Sequence, residues 1–359
     1  MDGVEKMSLS FYNNKKVFVT GHTGFKGSWL CRALIIAGAN VTGYALQPET
    51  NPALFELLGL KKEIKSVIAD IRDYDALLKS LKSAKPEIIF HLAAQPLVRE
   101  SYKIPVYTYE TNVLGTVKLL EACRHAPSAR SIVNVTTDKV YENKEDDRAF
   151  KENENLCGYD PYSNSKSCSD IITYSYRNSF FCEKDSPALS TARSGNVIGG
   201  GDFASDRIIP DCVSAAQKNK PVIIRNPKST RPYQHVLDCL SGYLLLARKQ
   251  YNDKKLQGSY NFGPEKSDFV INGALVKMFC KSWGNGLTSI NKSDNGPHEA
   301  KFLKLDITKA KKVLGWKPRL NVNQAVGLTV GWSKKYLAGV NIATCMDKQI
   351  KEYFKDNHC

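Results

Sequence analysis

Five side chains able to move protons fall in two short stretches. Thr137, Asp138 and Lys139 stand in "NVTTDKVY", and Tyr162 and Lys166 stand in "DPYSNSK". The apolar run through Ile132, Val133 and Val135 ends in that hydroxyl, carboxylate and ammonium, an arrangement that either caps a turn or presents a reaction site. Tyr162 and Lys166 are four residues apart and so share one face of a helix. A lysine there lowers the phenol pKa electrostatically and turns the tyrosine into a proton acceptor for a hydroxyl. A lone Y-x-x-x-K occurs often by chance. Its weight depends on the elements that position it.

Those elements follow a rhythm. Short apolar runs at Val17–Val19, Val41–Ala45, Val67–Ala69, Ile88–Phe90 and Ile132–Val135 lack clean polar alternation, as expected of strands buried between two layers of helices. The patterns over Phe25–Ala37, Tyr74–Ser83, Val106–Arg124 and Tyr162–Phe180 predict the helices between them. The fold class is therefore α/β: a Rossmann-type doubly wound parallel sheet with a smaller C-terminal substrate-binding domain. Residues 1–192 are expected to form the dinucleotide-binding domain, with a returning segment around 235–265. Residues 193–359, where loops and Gly199–Gly201 replace the rhythm, are expected to be mainly substrate-binding.

The turn after the first strand, "TGHTGFKG", places Gly21, Gly24 and Gly27 between a strand and a helix. Such glycines allow a tight turn and a close approach of backbone to a pyrophosphate, with the helix N-terminus facing it. His22 and Lys26 either face solvent or add positive charge beside the phosphates. The second strand ends in "GYALQPET", with Gln47 and Glu49 where a ribose-binding acid is usual, so NAD and NADP are not separated by these residues. Asp70 in "VIADIRD" is placed to meet an adenine amino group, and Asp73 to cap a helix. In "HLAAQ" the small Ala93 and Ala94 admit a cofactor across the strand ends. The lysine of Y-x-x-x-K can then also grip a nicotinamide ribose while hydride leaves for the cofactor.

Composition excludes several classes. With 42% hydrophobic and 24% charged residues over 359 positions, the chain is ordinary globular protein. No apolar stretch approaches the ~20 residues needed to span a bilayer, and the first residues do not read as a signal peptide. The ten cysteines show no C-x-x-C or metal-like spacing, so no metal and a cytoplasmic location with reduced thiols are expected. The net charge of +15 is spread along the chain without interleaved aromatics, which argues against nucleic acid and suits an anionic small substrate.

With "VFVTGHTGFKGSWL", "HLAAQPLVRESY", "NVTTDKVY", "DPYSNSKS", "ARSGNVIGGGDFASDRIIPD", "STRPYQHVLDCLSGYLLLA" and "LDITKAKKVLGWKP", the chain resembles the extended short-chain dehydrogenase/reductase family. Within that family it is most similar to the sugar-nucleotide 4,6-dehydratases that act on CDP-glucose. The resemblance covers nearly the whole chain. The glycine loop and Y-x-x-x-K are generic to the superfamily, whereas the His and Lys inside the loop and "TTDK" are more specific. It implies NAD held by Gly21, Thr23, Gly24, Phe25 and Gly27, by Asp70 and Ile71, by Leu92, Ala93 and Ala94, and by Asn112, Tyr162 and Lys166. It also implies a catalytic set of Thr137, Asp138, Lys139, Tyr162 and Lys166. Tyr162 would take the O4 proton as C4 is oxidised, neutral Lys139 would take the C5 proton, and Asp138 would protonate the leaving C6 hydroxyl. Asn196, Arg207 and Arg231 are expected at the substrate, CDP-glucose, with Arg231 suited to its pyrophosphate. His298 and Glu299 stand where the family closes over the sugar, and His298 is left out of the catalytic set. A homodimer pairing the helices Val106–Arg124 and Tyr162–Phe180 is the expected assembly. An epimerase of the same fold, or a non-catalytic NAD-binding regulator, are the alternatives. The first would leave Asp138 and Lys139 without a task, and the second would not need Thr137, Tyr162 and Lys166 together.

Overall fold

The computed structural model describes residues 9–292, 296 and 300–355; His298 and Glu299 lie outside the described residues. Seven parallel strands form the central sheet: β1 (Lys16–Thr20), β2 (Asn40–Ala45), β3 (Lys65–Ile68), β4 (Ile88–His91), β5 (Ser131–Thr136), β6 (Ala188–Ser194) and β7 (Ser259–Phe262). Their order across the sheet is β7-β6-β5-β4-β1-β2-β3. The chain runs outward from β1 to β3 and then crosses back to β4, so a crevice opens where the carboxyl ends of β1 and β4 diverge. Strand register places Thr20 beside His91, His91 beside Asn134, and Thr136 beside Arg193.

The five expected strands are present, with one correction. The third is Lys65–Ile68 rather than Val67–Ala69, and it is not buried. It forms the sheet edge, where no further strand covers it, and Ile68 is 38% exposed. The expected helix over Val106–Arg124 is also corrected. Pro105–Tyr109 and Gly115–Arg124 are α-helical, but Glu110–Leu114 between them is a π-turn. Such widened turns commonly mark functional sites, and this one carries Thr111 and Asn112.

Helix α1 (Phe25–Ile36) follows the glycine loop, and α2 (Tyr74–Ala84) starts at Asp73, whose side chain caps Ala76 N–H. Helix α3 (Pro161–Ser179) carries Tyr162 and Lys166. Its start is set by Asp160, which accepts from Ser163 N–H at 2.9 Å, and by Pro161, whose missing N–H costs nothing in a first turn. Helix α4 (Val236–Asn252) is almost wholly buried beneath the sheet, and its chain then returns as β7. The remaining elements pair as short two-stranded ribbons, such as 222–224 with 289–291. They pack with helices Ile208–Gln217, Asn272–Trp283 and Val322–Leu337 around Ile209, Phe279 and Val326. Among the described residues no helix is long and apolar enough to cross a membrane.

Candidate active site

Two adjoining cavities open at the carboxyl ends of the strands. One, of about 240 Å³, runs across β1, β2 and β4; the other, of about 570 Å³, lies between β5 and the short ribbons. Phe25, Lys26, Pro96, Tyr162, Asp202 and Arg207 belong to both walls.

Each glycine of the first turn has a separate reason. Gly21 has φ +74°, and a Cβ there would stand 2.7 Å from the Ala93 nitrogen, so the turn could not lie against the end of β4. A Cβ on Gly27 would stand 2.0 Å from the Gly21 carbonyl oxygen, so the helix could not close onto its own loop. Gly24 meets little, and it caps α1 with its backbone open to the cavity. The end of β4 is pinned from the other side by the Thr20 hydroxyl, which accepts from Leu92 and Ala93 N–H at 3.1 and 3.2 Å. The cavity wall thus brings together Gly21, Thr23, Gly24, Phe25 and Gly27 with Asp70, Ile71, Leu92, Ala93 and Ala94. Tyr162 and Lys166 close its inner end. Gln47 and Glu49 line its outer end.

Three residues differ from expectation. Asn112 does not line the cavity. Its Oδ1 accepts from Gln95 N–H at 2.9 Å, and its Nδ2 donates to Gln95 O and to Ser165 Oγ, so it staples the turn after β4 to α3. Its neighbour Thr111 does line the cavity, with a buried hydroxyl that has no hydrogen-bond partner. Sequence reasoning missed Thr111, although it stands in the same "ETN" stretch. His22 neither faces solvent nor adds charge. It is buried against Gly43 with Nε2 2.7 Å from Ser66 Oγ, and burial lowers its pKa to about 4. Lys26, by contrast, reaches the junction of both cavities, where burial lowers its pKa while Cys239, Asp138 and Asp202 oppose that shift.

Asp70 is gripped by Arg72. The guanidinium bonds both carboxylate oxygens, reaches Glu110 at 2.8 Å and lies over the Tyr107 ring. These bonds hold the Asp70 carboxyl below its ordinary pKa.

Thr137, Asp138 and Lys139 line the larger cavity together with Asn196, Arg207 and Arg231. Thr137 begins a tight turn, Asp138–Val140, and donates to Asp138 Oδ1 at 2.9 Å. Asp138 is buried beside Gly195, where any Cβ would stand 1.9 Å from its Oδ2. Asn196 takes φ +44°, and its carbonyl accepts from Gln234 N–H. Arg207 pairs with Asp202 at 2.9 Å, and Arg231 is buried with Nη1 on the Thr230 carbonyl. Lys166 donates to the Val135 carbonyl at 3.1 Å; burial lowers its pKa to about 7, helped by Lys26 and opposed by Asp170. Burial raises Tyr162 to about 12, and the neighbouring Thr137 hydroxyl opposes that shift.

The buried His22 predicts acid sensitivity. Its pKa falls from an ordinary 6.5 unfolded to about 4 folded. Below pH 6.5 the unfolded chain therefore binds a proton that the folded chain refuses, and stability falls with pH until about pH 4. The loss approaches ~3 kcal/mol at the bottom of that window. Denaturant melts from pH 7 to pH 4.5 should show a steeper fall for the wild type than for His22→Gln, and parallel curves would refute this account.

A profile of the GDP-mannose 4,6-dehydratase family matches residues 18–329. The CDP-glucose 4,6-dehydratase of Salmonella typhimurium is 46% identical, over 96% of this chain and 97% of that protein. A trifunctional UDP-glucose 4,6-dehydratase of Arabidopsis thaliana is 28% identical over 91% of this chain and 48% of its own length. Among solved structures, the UDP-glucuronic acid 4-epimerase of Bacillus cereus in complex with UDP-glucuronic acid and NAD superposes with a TM-score of 0.77 at 23% identity, covering 89% of this chain and 99% of that one. The dTDP-glucose 4,6-dehydratase of Bacillus anthracis in complex with NAD gives 0.75 at 22% identity, covering 91% and 99%. Those two likenesses are of fold, and the sequence matches go further: the chain belongs to the GDP-mannose 4,6-dehydratase family, among the extended short-chain dehydrogenase/reductases.

Proposed function

We propose that the protein is a lyase that converts CDP-glucose to CDP-4-keto-6-deoxyglucose with NAD as its cofactor. The observation that carries this reading is the shared cavity wall of Asp138 and Lys139 with Tyr162. Oxidation and reduction alone need the tyrosine and lysine; only an elimination needs a further acid and base beside them. The 46% identity to a CDP-glucose 4,6-dehydratase over nearly the whole chain supports the nucleotide.

The residues present fit NAD. The Gly21 and Gly27 clearances keep the cradle open at the helix start, the orphan Thr111 hydroxyl lines it, and Asp70 is held rigid at its far end. NAD held there along Gly21, Gly24 and Gly27 would supply the hydride acceptor for C4 and the hydride donor for C6. Tyr162, facing Thr137, takes the proton of O4. Lys166 orients the ribose end and supplies positive charge behind the phenol. Lys139 removes the C5 proton made acidic by the C4 ketone, and Asp138 protonates the C6 hydroxyl as it leaves as water. Arg231 and Arg207 bind the diphosphate, with Asn196 on the same wall. Seven basic against five acidic side chains line this cavity, an excess that favours a dianionic substrate.

The assembly is proposed to be a homodimer. Val106 (71% exposed), Leu114 (50%), Ile171 (51%) and Tyr174 (62%) stand on the adjoining helical segments 105–124 and 161–179, an apolar face suited to a second copy. A cytoplasmic setting is supported by the nine described cysteines, all free.

Mass spectrometry of CDP-glucose, dTDP-glucose and UDP-glucose, each incubated separately with protein and NAD, should show loss of one water from CDP-glucose alone. Loss from another nucleotide sugar would discard the base preference, and no loss from any would discard the dehydratase. Tyr162→Phe should abolish the reaction while leaving NAD binding by calorimetry intact.

Lys139→Met should slow dehydration by at least ~10²-fold and stop entry of solvent deuterium at C5. Deuterium entering at the wild-type rate would remove Lys139 from the role of base. Light scattering should give the mass of two chains for the wild type and of one for Ile171→Glu with Tyr174→Glu. A monomeric wild type would end the dimer proposal.

A further inference from the structure

The larger cavity is lined by more than the reacting groups and the two arginines assigned to the diphosphate. Helix Ile208–Gln217 starts from Arg207, and Asp211 N–H donates to the Arg207 carbonyl at 3.0 Å. Asp211 therefore stands one helical turn, about 6 Å, beyond Arg207, and both residues line the cavity. That step is comparable with the reach from a diphosphate to the pyrimidine of its nucleoside.

The short strand Val222–Ile224 contributes a second side. Val222 and Ile224 turn into the core, whereas Ile223 is 51% exposed and lines the cavity. Arg225 is two residues further on, so it keeps to the side of Ile223 and lines the cavity as well. Its Nη2 donates to Asp211 Oδ2 at 3.1 Å, and its Nη1 donates to Asp206 Oδ1 at 2.5 Å. A guanidinium carries five N–H donors, so these two contacts do not exhaust it. All three charged side chains are partly exposed, and ion pairs of that kind add little to stability. A guanidinium that only donates and a carboxylate that only accepts thus lie side by side, next to an open apolar side chain.

Pyrimidines differ in this same respect. Cytosine carries an amino donor at C4 beside an acceptor at N3, whereas uracil and thymine carry a carbonyl acceptor at C4 beside an N–H donor at N3. An adjacent carboxylate and guanidinium match cytosine at both positions. Against uracil or thymine they set acceptor on acceptor and donor on donor, which rejects those bases as well as favouring the right one.

We propose that Asp211 and Arg225 select the base of the substrate: Asp211 accepts from the cytosine N4 amino group and Arg225 donates to N3, with the ring against Ile223. Asp206, on the loop leading to Arg207, holds the guanidinium through its other Nη. The proposal rests on the CDP-glucose reading and adds the residues that choose among nucleotides.

Competition between CDP-glucose and UDP-glucose in one vessel, with both products counted by mass spectrometry, gives the ratio of their kcat/KM values. A general loss of folded enzyme lowers both products alike and leaves that ratio unmoved. Asp211→Asn is isosteric and replaces the acceptor facing N4 by an amide, and Arg225→Gln removes the charged donor facing N3. Each should lower the preference for CDP-glucose by at least ~10-fold. Calorimetric titration with CDP and UDP reads the same choice without turnover. The wild type should bind CDP more tightly, and either variant should bring the two affinities together. Unchanged ratios in both variants, or equal affinity of the wild type for CDP and UDP, would overturn the base selection while leaving the dehydratase reading intact. A variant that forms no product is decided by calorimetry. Absence of product from the wild type would overturn the dehydratase reading, and the binding preference would then still decide the base.

Discussion

The buried pair of Arg193 and Asp170 holds the reaction strand in place. The two residues are each 2% exposed, and the guanidinium forks onto both carboxylate oxygens at 2.8 Å. Arg193 is the last residue but one of β6, while Asp170 lies one turn beyond Lys166 on α3. Asp170 also receives the Thr136 hydroxyl at 3.0 Å, immediately before the reactive triplet on β5. The third guanidinium nitrogen binds Tyr141 and the Glu152 carbonyl, fixing the segment that leaves the site. One ion pair thus sets two strands, the helix carrying Tyr162, and the loop between them. Breaking such a pair from one side typically costs about 3–5 kcal/mol because a charge is left buried alone. Its effect here goes beyond stability, because misplacing a reacting group by about 1 Å can cost ~10²-fold in rate.

The features that were legible in the sequence are those whose causes are local. The glycine spacing, the Y-x-x-x-K pair and the hydroxyl-acid-base triplet each depend on neighbours within a few residues, and their positions follow from strand and helix geometry alone. Asn112 and Thr111 mark where this stops. They are adjacent in sequence, but which of them lines the cavity depends on the widened turn at Glu110–Leu114, and a helical pattern does not announce an extra residue. His22 is a similar case. Its burial depends on Ser66 and Gly43, which belong to two other strands. Gly195 has no local signature at all, since its need to be glycine comes from the Asp138 carboxylate packed against it. The edge position of β3 was hidden for the same reason: a run such as Val67-Ile68-Ala69 carries no sign of whether a further strand will cover it.

The shared wall between the two cavities makes them one functional unit. The loop from Asp202 to Arg207 contributes Phe203 and Ala204 to the cofactor side and Ser205 and Asp206 to the substrate side, with Arg207 facing both. A displacement of that loop cannot alter one cavity without altering the other. The Asn112 staple keeps the opposite wall fixed, so the cradle is built before any ligand arrives and little ordering entropy remains to be lost on binding.

The outermost strand, β7, comes from residues 259–262, far along the chain from the strand it covers. A ribosome making this protein from its N-terminus therefore completes six strands, including all five reactive groups, well before the sheet can be closed. Until then the outer edge of β6, with its unpaired N–H and C=O groups, is open to any other nascent chain. Vectorial synthesis thus leaves the edge nearest the Arg193–Asp170 pair open until residues 259–262 have been made. A chain cut short of residue 259 would keep every reactive group and leave that edge of β6 uncovered.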